Sequence, residues 1–212
     1  MKQNNMQQRR EFFIAFEGID GSGKSTQMHK LAEKLSAIGH TCYETAEPTD
    51  GPIGAIIHQI MAHRIKADDK VIAALFVADR LDHLTNEVNG IRDMVKSGIT
   101  VLTDRYYFSS YAYHGAFMPM NWVVEANSLS ASILRPTINI FIDVDPELAI
   151  QRVKNRHNAE LYETLDTLTK IREQYFVAFD AIGSKENVAV IDGNQSSDDV
   201  EADVWKSVKA IL

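Results

Sequence analysis

Short apolar runs alternate along this chain with longer stretches in which apolar residues recur every three or four positions. The short runs are typical of buried strands, and the longer stretches are typical of amphipathic helices. The runs predict strands at residues 11–17, 41–45, 99–103, 137–144 and 188–191. The longer stretches predict helices at residues 24–38, 53–63, 71–96, 146–156, 161–182 and 198–212, the third of them bent or broken near Asn89 and Gly90.

The regular alternation of strands and helices predicts an α/β fold. Strands that are separated by helices usually pair in parallel, and the helices then cover both faces of the sheet. We therefore expect three layers, with a central parallel sheet of about five strands between helices. Residues 11–212 contain no repeat or linker and are expected to form one domain, whereas the polar residues 1–10 are expected to be a disordered tail.

A glycine-rich motif joins the first predicted strand to the first predicted helix. Residues 18–25 read G-I-D-G-S-G-K-S, which fits the G-x-x-x-x-G-K-S pattern of a P-loop and narrows the fold to the P-loop NTPase class. In such a loop, backbone N–H groups and the positive end of the helix point at a phosphate. Lys24 is expected to reach the β- and γ-phosphates of a nucleoside triphosphate, and Ser25 to hold Mg²⁺. The candidate nucleotide-binding residues are Gly18, Asp20, Gly21, Ser22, Gly23, Lys24, Ser25 and Thr26.

The charge and composition of the chain argue against several classes of partner. A net charge of −7 is the wrong sign for general binding to nucleic acid or to a membrane surface, although local arginines and lysines can still bind an anionic substrate. No apolar run approaches the roughly 20 residues of a membrane span, and the tail lacks the apolar core of a signal peptide. Cys42 is the only cysteine, which excludes an intramolecular disulfide. We expect a soluble, cytoplasmic protein without nucleic-acid or membrane partners.

Two classes of P-loop protein fit the motif, the switch-type GTPases or ATPases and the small-molecule kinases. The N-K-x-D motif with which GTPases bind guanine is absent from the sequence. Five segments resemble motifs of a kinase family instead, in the same order and with the same spacing. They read F-E-G-I-D-G-S-G-K-S-T (16–26), T-A-E-P (45–48), L-F-V-A-D-R-L-D-H (75–83), D-R-Y-Y-F-S-S-Y-A-Y-H-G (104–115) and I-D-V-D-P-E-L-A (142–149).

Through these segments the chain resembles the thymidylate kinases, a family of P-loop nucleoside monophosphate kinases. The resemblance implies transfer of the γ-phosphoryl group of ATP to dTMP, which gives ADP and dTDP, with Mg²⁺ as the metal ion. It also implies a short lid near residues 152–162 and a homodimer formed through helices near residues 71–96. The apolar side chains of that stretch suit either a core or an interface.

The resemblance assigns phosphate-binding roles to several side chains. Asp104 follows a strand beside the P-loop and is expected to hold Mg²⁺ together with Ser25. Arg105 is expected to bind the acceptor phosphate, because a planar guanidinium can bind two phosphate oxygens at once. Asp20 is expected to bind the 3′-hydroxyl group of the acceptor sugar. A helix N-cap for Asp104 and a surface ion pair for Arg105 are the ordinary alternatives.

Other side chains are implied on the base and sugar side. Phe76 is expected to stack on the pyrimidine, and Arg80 to approach the base. Tyr113 is expected to crowd the sugar 2′ position and so to favour deoxyribose, and Ser109 to contact the base edge. Core packing of Phe76, a salt bridge for Arg80 and plain helix-face positions for Ser109 and Tyr113 stay open as alternatives.

The lid is expected to supply the catalytic cations. Family members without an arginine in the P-loop, as here with Gly21, usually supply a lid cation. Arg152 and Arg156 are the candidates, with Lys154 between them, and their charge would stabilise the phosphoryl group during transfer. A solvated basic patch at a helix end is the alternative.

Three residues depart from the family pattern on the acceptor side. Ala46 stands where the family has an arginine, His58 where many members have an arginine, and His114 where the family has a glutamine that would face the substrate. Two alternatives therefore stay open. The chain is either a nucleoside monophosphate or deoxynucleoside kinase with a different acceptor, or a nucleotide-binding protein without kinase activity.

Overall fold

The computed structural model describes residues 12–153, 161–162 and 164–212, and five strands form one parallel sheet there. The strands are β1 (Phe13–Glu17), β2 (Cys42–Ala46), β3 (Thr100–Asp104), β4 (Ile138–Asp143) and β5 (Val188–Asp192). They lie in the order β2-β3-β1-β4-β5, and every neighbouring pair is parallel. The predicted five-stranded parallel sheet is confirmed, with small shifts at the strand ends.

Helices flank the sheet, as the alternating pattern predicted. They are α1 (Lys24–Ala37), α2 (Pro52–Met61), α3 (Asp69–Thr85), α4 (Ile91–Lys96), α5 (Tyr107–Gly115), α6 (Met120–Ala126), α7 (Ser128–Ile133), α8 (Pro146–Val153), α9 (Leu165–Ile182) and α10 (Ser197–Lys209). Helix α1 packs against α10, and α5 packs against α9.

The central strand β1 brings the P-loop to the middle of the carboxyl edge of the sheet. Every residue from Phe13 to Glu17 is buried, which requires cover on both faces. The register places Phe16 of β1 opposite Asp104 of β3. Because parallel strands end at the same edge, the P-loop after β1 and the residues after β3 lie side by side, as expected for a ligand site in an open α/β sheet.

The stretch predicted as one helix over residues 71–96 is two helices. Helix α3 ends at Thr85 and α4 begins at Ile91, so the predicted break near Asn89 and Gly90 is confirmed. A Cβ added to Gly90 would lie 2.5 Å from the carbonyl oxygen of Asn86. The turn between the two helices is thus too tight for a side chain at this position.

Three helices between β3 and β4 were not predicted from the sequence. In α5 all residues from Tyr107 to His114 are buried, so the helix has no polar face. Without a polar face, the sequence of this helix lacks the alternation of apolar and polar positions that indicates an amphipathic helix. Helices α6 and α7 have only seven and six residues, which is too short for a clear period.

Two expectations fall mainly on parts of the chain that the structure does not describe. The predicted tail at residues 1–10 lies outside the described residues. So does the predicted lid, apart from residues 152–153 and 161–162. Among the residues that are described, no helix is both long and apolar enough to cross a membrane.

Candidate active site

The P-loop leaves β1 through a glycine that no other residue can replace without strain. Gly18 has φ +144°, and a Cβ at this position would lie 2.7 Å from the carbonyl oxygen of Ile142 on β4. Helix α1 begins at Lys24 directly after the loop, and its first turn carries no acidic residue. The first N–H groups of α1 are therefore available to an anion.

Lys24 is buried and lies against the loop that precedes it. Its Nζ atom donates a hydrogen bond of 3.0 Å to the carbonyl oxygen of Ile19. Burial, followed by the nearby charge of Arg105, lowers the pKa of Lys24 to about 8. A phosphate would replace the missing solvation of this ammonium group and favour its charged form.

Ser25 and Asp104 lie together, as predicted for a magnesium site. The Ser25 hydroxyl donates a hydrogen bond of 2.5 Å to Oδ2 of Asp104. Both are oxygen ligands of the kind that Mg²⁺ prefers, and Mg²⁺ usually takes its remaining ligands from phosphates and water. The described residues contain no group of three or more His, Cys, Asp or Glu side chains that could hold a metal ion without a nucleotide.

Two cavities meet beside the P-loop. The first, which we call the P-loop cavity, is lined by Asp20, Gly21, Gly23, Lys24, Ser25, Thr26, Ala46, Glu47, Pro48, His58, Asp104 and Arg105. The second, which we call the acceptor pocket, is lined by Asp20, Glu47, Pro48, Met61, Phe76, Arg80, Arg105, Ser109, Ser110, Tyr113, His114 and Tyr162. The two share four wall residues, among them Asp20 and Arg105.

Arg105 lies at the junction of these cavities in a conformation that few non-glycine residues adopt. Its φ is +76°, in the left-handed region where strain is typically stored at functional sites. Its guanidinium donates hydrogen bonds to Asp20 (2.5 Å) and to the Tyr113 hydroxyl (2.8 Å). It donates two more to Ser109 (3.1 Å) and to the carbonyl oxygen of Gly18 (3.2 Å). Within the described part of the chain, its Nε–H group has no acceptor and remains for a ligand.

Asp20 and Tyr113 form one hydrogen-bonded group with Arg105. The Tyr113 hydroxyl donates a 2.8 Å bond to Oδ2 of Asp20, and the Arg105 guanidinium lies 4.6 Å from the centre of the Tyr113 ring. Burial by itself would raise the pKa of Asp20, but Arg105 and Lys24 hold it below its usual value. Asp20 is therefore a carboxylate at neutral pH, with lone pairs left for a hydroxyl group of a ligand.

Arg80 lies in the wall of the acceptor pocket, but the protein itself uses its guanidinium. The Nε and Nη2 atoms lie 2.7 Å and 2.6 Å from Oε2 of Glu47. Nη1 donates to Ser110 and Asn127, and Nη2 also donates to the carbonyl oxygen of Tyr106. Every nitrogen of Arg80 is thus engaged, so a base carbonyl would have to share a donor with one of these partners.

The Glu47–Arg80 pair extends into a buried chain of polar groups. Oε1 of Glu47 lies 3.1 Å from Nδ1 of His83, and Nε2 of His83 lies 2.9 Å from the Thr45 hydroxyl. The T-A-E-P segment therefore contacts the A-D-R-L-D-H segment directly. The sequence did not predict that these two motifs contact each other, because they lie about thirty residues apart and share no pattern.

Phe76 and His114 lie next to each other in the acceptor pocket. Their ring centres are 5.2 Å apart, and Phe76 is half-buried while His114 is buried. Burial, followed by the charge of Arg80, lowers the pKa of His114 to about 3, so the imidazole is neutral at physiological pH. No hydrogen bond to either ring nitrogen is found among the described residues. His114 thus presents one N–H donor and one nitrogen acceptor to the pocket.

Ser109 lines the acceptor pocket, and its hydroxyl is also bonded to groups of the sheet and of α9. Its hydroxyl donates a 2.5 Å hydrogen bond to Oε2 of Glu17 at the end of β1. It also lies 2.8 Å from the hydroxyl of Tyr175, a residue of α9 that sequence reasoning did not single out. From the wall of the pocket, Ser109 thus supports Arg105, whose guanidinium donates a hydrogen bond to it.

Tyr162 is a further pocket residue that sequence reasoning missed. Its ring packs edge-on against Tyr113 at 5.5 Å and stacks on Phe117 at 5.9 Å. No motif marks this residue, because its contacts with Tyr113 and Phe117 join segments that lie far apart in the sequence.

Of the predicted lid cations, the structure places Arg152 against the P-loop. Its Nη1 and Nη2 atoms donate hydrogen bonds of 3.4 Å and 3.2 Å to the carbonyl oxygens of Gly21 and Gly193. Arg156 and Lys154 lie outside the described residues. A Cβ on Gly21 would lie 2.4 Å from the carbonyl oxygen of Ala149 on α8. Close packing of α8 therefore leaves no room for an arginine in the P-loop.

The departures at Ala46 and His58 fall in the P-loop cavity, close to Lys24 and Arg105. A cavity of about 620 Å³ lies beside them and is also lined by Ala46 and His58. Space is thus present beside the place where phosphates are expected, while His114 lies in the acceptor pocket.

Comparison with known proteins agrees with the motifs and the fold. The family model for thymidylate kinase matches residues 16–204. A protein of Pyrobaculum aerophilum named "Probable thymidylate kinase" is 39% identical over 201 residues, which cover 94% of this chain and 97% of that protein. A protein of the same name from Methanocaldococcus jannaschii is 36% identical over 188 residues, which cover 87% and 88% of the two chains. The chain belongs to the thymidylate kinase family.

Proposed function

We propose that this protein transfers the γ-phosphoryl group of ATP to dTMP and so produces ADP and dTDP. The observation that carries the proposal is the shared wall of the P-loop cavity and the acceptor pocket, which contains Asp20 and Arg105. Two nucleotides bound in these cavities would bring their phosphates together there. In-line phosphoryl transfer needs this arrangement and little further covalent chemistry from the protein. Membership of the family supports the same reaction.

On the donor side, the amides of the P-loop and the ammonium group of Lys24 bind the phosphates of ATP. Ser25 and Asp104 would hold Mg²⁺, which neutralises phosphate charge when bound. Arg152 lies against Gly21 and supplies positive charge from the lid side, and Arg156 is proposed to act with it. These charges stabilise the negative charge that is spread over the transferring group.

On the acceptor side, Arg105 binds the phosphate and Asp20 binds the sugar 3′-hydroxyl group. Phe76 offers an apolar face to the pyrimidine, and the neutral imidazole of His114 offers a donor and an acceptor to its edge. Tyr113, held by Asp20 and Arg105, narrows the pocket beside the sugar and favours deoxyribose. No general base is required, because a phosphate monoester is already largely ionised near neutral pH.

A second candidate is the same reaction with another monophosphate as acceptor. The observation that favours it is the position of Ala46 and His58 in the P-loop cavity, where the family pattern has arginines. Loss of one charged contact to a phosphate costs on the order of 1.5–3 kcal/mol, or about tenfold to a hundredfold in affinity.

A coupled ADP-release assay with ATP, Mg²⁺ and a panel of monophosphates tests the proposal. We expect the highest kcat/KM with dTMP, and loss of most turnover in Lys24→Ala. Selective turnover of a different monophosphate would support the second candidate. ATP binding without turnover of any monophosphate would show a nucleotide-binding protein that is not a kinase.

We also propose that the enzyme is a homodimer formed around α2 and α3. Ile72 and Leu84 of α3 are in the core, whereas Val71 is 51% exposed, and Ile56 and Ile65 are 43% and 40% exposed. An interface would bury these side chains. Sedimentation of the wild type and of Ile56→Glu tests this proposal. We expect the wild type to be a dimer and Ile56→Glu to form a weaker dimer. A wild type that is monomeric at micromolar concentration would contradict the proposal.

A further inference from the structure

We propose that Tyr175 of α9 is a positioning residue that, together with Glu17 and Ser109, holds Arg105 and the first glycine of the P-loop in their working arrangement. The inference rests on the proposed function, since it takes Arg105 as a ligand of the acceptor phosphate. Tyr175 itself does not line either cavity and would touch neither nucleotide.

The Tyr175 hydroxyl lies under the point where β1 becomes the P-loop. The side chain is fully buried, and its oxygen accepts a hydrogen bond of 3.3 Å from the backbone N–H of Gly18. The same oxygen lies 2.8 Å from Oγ of Ser109 and 3.2 Å from Oε2 of Glu17. Gly18 has φ +144°, a conformation that glycine adopts without strain but other residues do not, and Tyr175 gives its N–H group a buried acceptor.

The hydrogen atoms available fix the direction of this chain of bonds. Ser109 has a single hydroxyl hydrogen, which it donates to Glu17 over 2.5 Å. Tyr175 then donates in its 2.8 Å contact with Ser109, and its single hydroxyl hydrogen also faces Oε2 of Glu17 at 3.2 Å and the carbonyl oxygen of Gly18 at 3.4 Å. Ser109 then accepts two bonds, one from Tyr175 and one of 3.1 Å from Nη1 of Arg105, which uses both of its lone pairs.

Glu17 anchors the arrangement from the sheet. Its Oε1 accepts a hydrogen bond of 3.0 Å from the backbone N–H of Tyr106, the residue directly after the strained Arg105. Burial raises the pKa of Glu17, while bonds from Ser109 and Tyr175 and the charges of Arg105 and Arg80 oppose that rise. Both the backbone and the side chain of the Arg105 region are thus tied to Glu17.

This network joins the P-loop, the segment after β3 and α9. Helix α9 packs against α5, which carries Ser109, and also against α8, which precedes the lid. Removing the Tyr175 hydroxyl would leave Ser109 and Gly18 each without one partner. Arg105 would then lose the support of a fixed Ser109, although every residue expected to touch a nucleotide would still be present.

The variant Tyr175→Phe tests this, and Tyr107→Phe is its matched control. Tyr107 is also a fully buried tyrosine whose hydroxyl donates one hydrogen bond, of 2.7 Å to Glu186, but its bond partner lies outside both cavities. We expect both variants to lose similar stability in urea. We expect kcat to fall about tenfold or more in Tyr175→Phe only, by the loss of support for a charged hydrogen bond. The calorimetric Kd for MgADP should change less than twofold in Tyr107→Phe, which would show that the control leaves the P-loop intact.

A double variant shows whether the residues act through one chain of bonds. Ser109→Ala and Tyr175→Phe combined should reduce kcat no further than the more damaging single change, because both break the same support of Arg105. Equal kcat values in Tyr175→Phe and Tyr107→Phe would overturn the inference. Additive losses in the double variant would overturn it as well.

A measurement that needs no acceptor separates this inference from the proposed function. Amide exchange of Gly18, followed by NMR, should be faster in Tyr175→Phe than in the wild type and unchanged in Tyr107→Phe. Unchanged exchange in Tyr175→Phe would contradict the positioning role whatever the enzyme phosphorylates. Wild-type inactivity with every monophosphate would contradict the proposed function alone.

Discussion

At the residue scale, burial sets the charge state of the two side chains that bear most directly on ligand binding. Lys24 has its pKa lowered to about 8, and His114 has its pKa lowered to about 3. Both shifts have the same first cause, since a buried cation loses its solvation. The consequences differ, because the pKa of Lys24 lies near physiological pH whereas the pKa of His114 lies far below it.

For Lys24 we predict that nucleotide affinity falls as the pH rises above 8. Phosphates favour the charged ammonium, which the free protein progressively loses above its pKa, so Kd should rise by up to about tenfold per pH unit there. Burial raises the pKa of Tyr113 and Tyr175 well above their usual values, so they do not titrate in this range. Calorimetry with MgADP between pH 7 and 9.5 measures the effect, and Lys24→Arg, which stays charged, is the control. A flat wild-type profile would contradict the prediction.

For His114 we predict no titration during acceptor binding between pH 5.5 and 8. The imidazole remains neutral throughout this range, as does the side chain of His114→Gln, which carries the residue of the family pattern. The two KM profiles for dTMP should therefore run parallel, because the phosphate of dTMP titrates equally in both. An inflection that appears only in the wild type would show that His114 becomes charged in the complex.

At the element scale, the packing of α8 on the P-loop determines where cations can come from. The carbonyl oxygen of Ala149 is so close to Gly21 that no side chain fits there. Arg152 leaves the last turn of the same helix and lies against the carbonyl oxygen of Gly21. The resemblance predicted that cations come from lid arginines and not from an arginine in the P-loop. In this chain the reason is steric, because an arginine at position 21 would clash with α8.

We predict that Gly21→Ala destabilises the fold more than Gly39→Ala does. Both glycines have positive φ, +82° and +97°, so either alanine costs about 1–2 kcal/mol in backbone strain. Gly39 has nothing within 4 Å of an added Cβ, whereas Gly21 adds a backbone clash at 2.4 Å. Urea unfolding of the two variants measures the difference. Equal losses would mean that α8 moves away at little cost.

The helices and strands differ in how well the sequence predicts them. The five strands and most of the helices, α1 and α9 among them, were predicted because they have a clear period or a bounded apolar run. Helix α5 was missed because burial on all sides removed its period. Helix α5 nevertheless carries Ser109, Tyr113 and His114, to which the family resemblance assigned substrate contacts. The hydrophobic pattern of the sequence did not predict the helix that holds them.

At the scale of the whole molecule, the strand order brings the departures from the family pattern to one place. Strand β2 lies beside β3 and ends at Ala46, whose register partner is Asp104. Ala46 therefore opens onto the P-loop cavity, together with His58 of α2.

We predict that Ala46→Arg leaves the KM for dTMP unchanged or lowers it by up to about tenfold, because it adds a cation beside the expected acceptor phosphate. The adjoining cavity of about 620 Å³ has room for the side chain. Steady-state kinetics measures the change, with Ala46→Met as a control for size without charge. Loss of turnover in Ala46→Arg but not in Ala46→Met would mean that the cavity is built for another acceptor.

The sequence by itself determined the α/β class, the P-loop and its neighbouring strand, and the family, because these depend on local spacing and on motifs read in order. The tertiary structure alone decided which distant groups meet. It paired Arg80 with Glu47, bonded Ser109 to Glu17, and brought the Tyr175 hydroxyl to the N–H group of Gly18. The physical reason is that such contacts depend on how α3, α5 and α9 pack on the sheet, and packing between distant segments leaves no periodic trace in the chain.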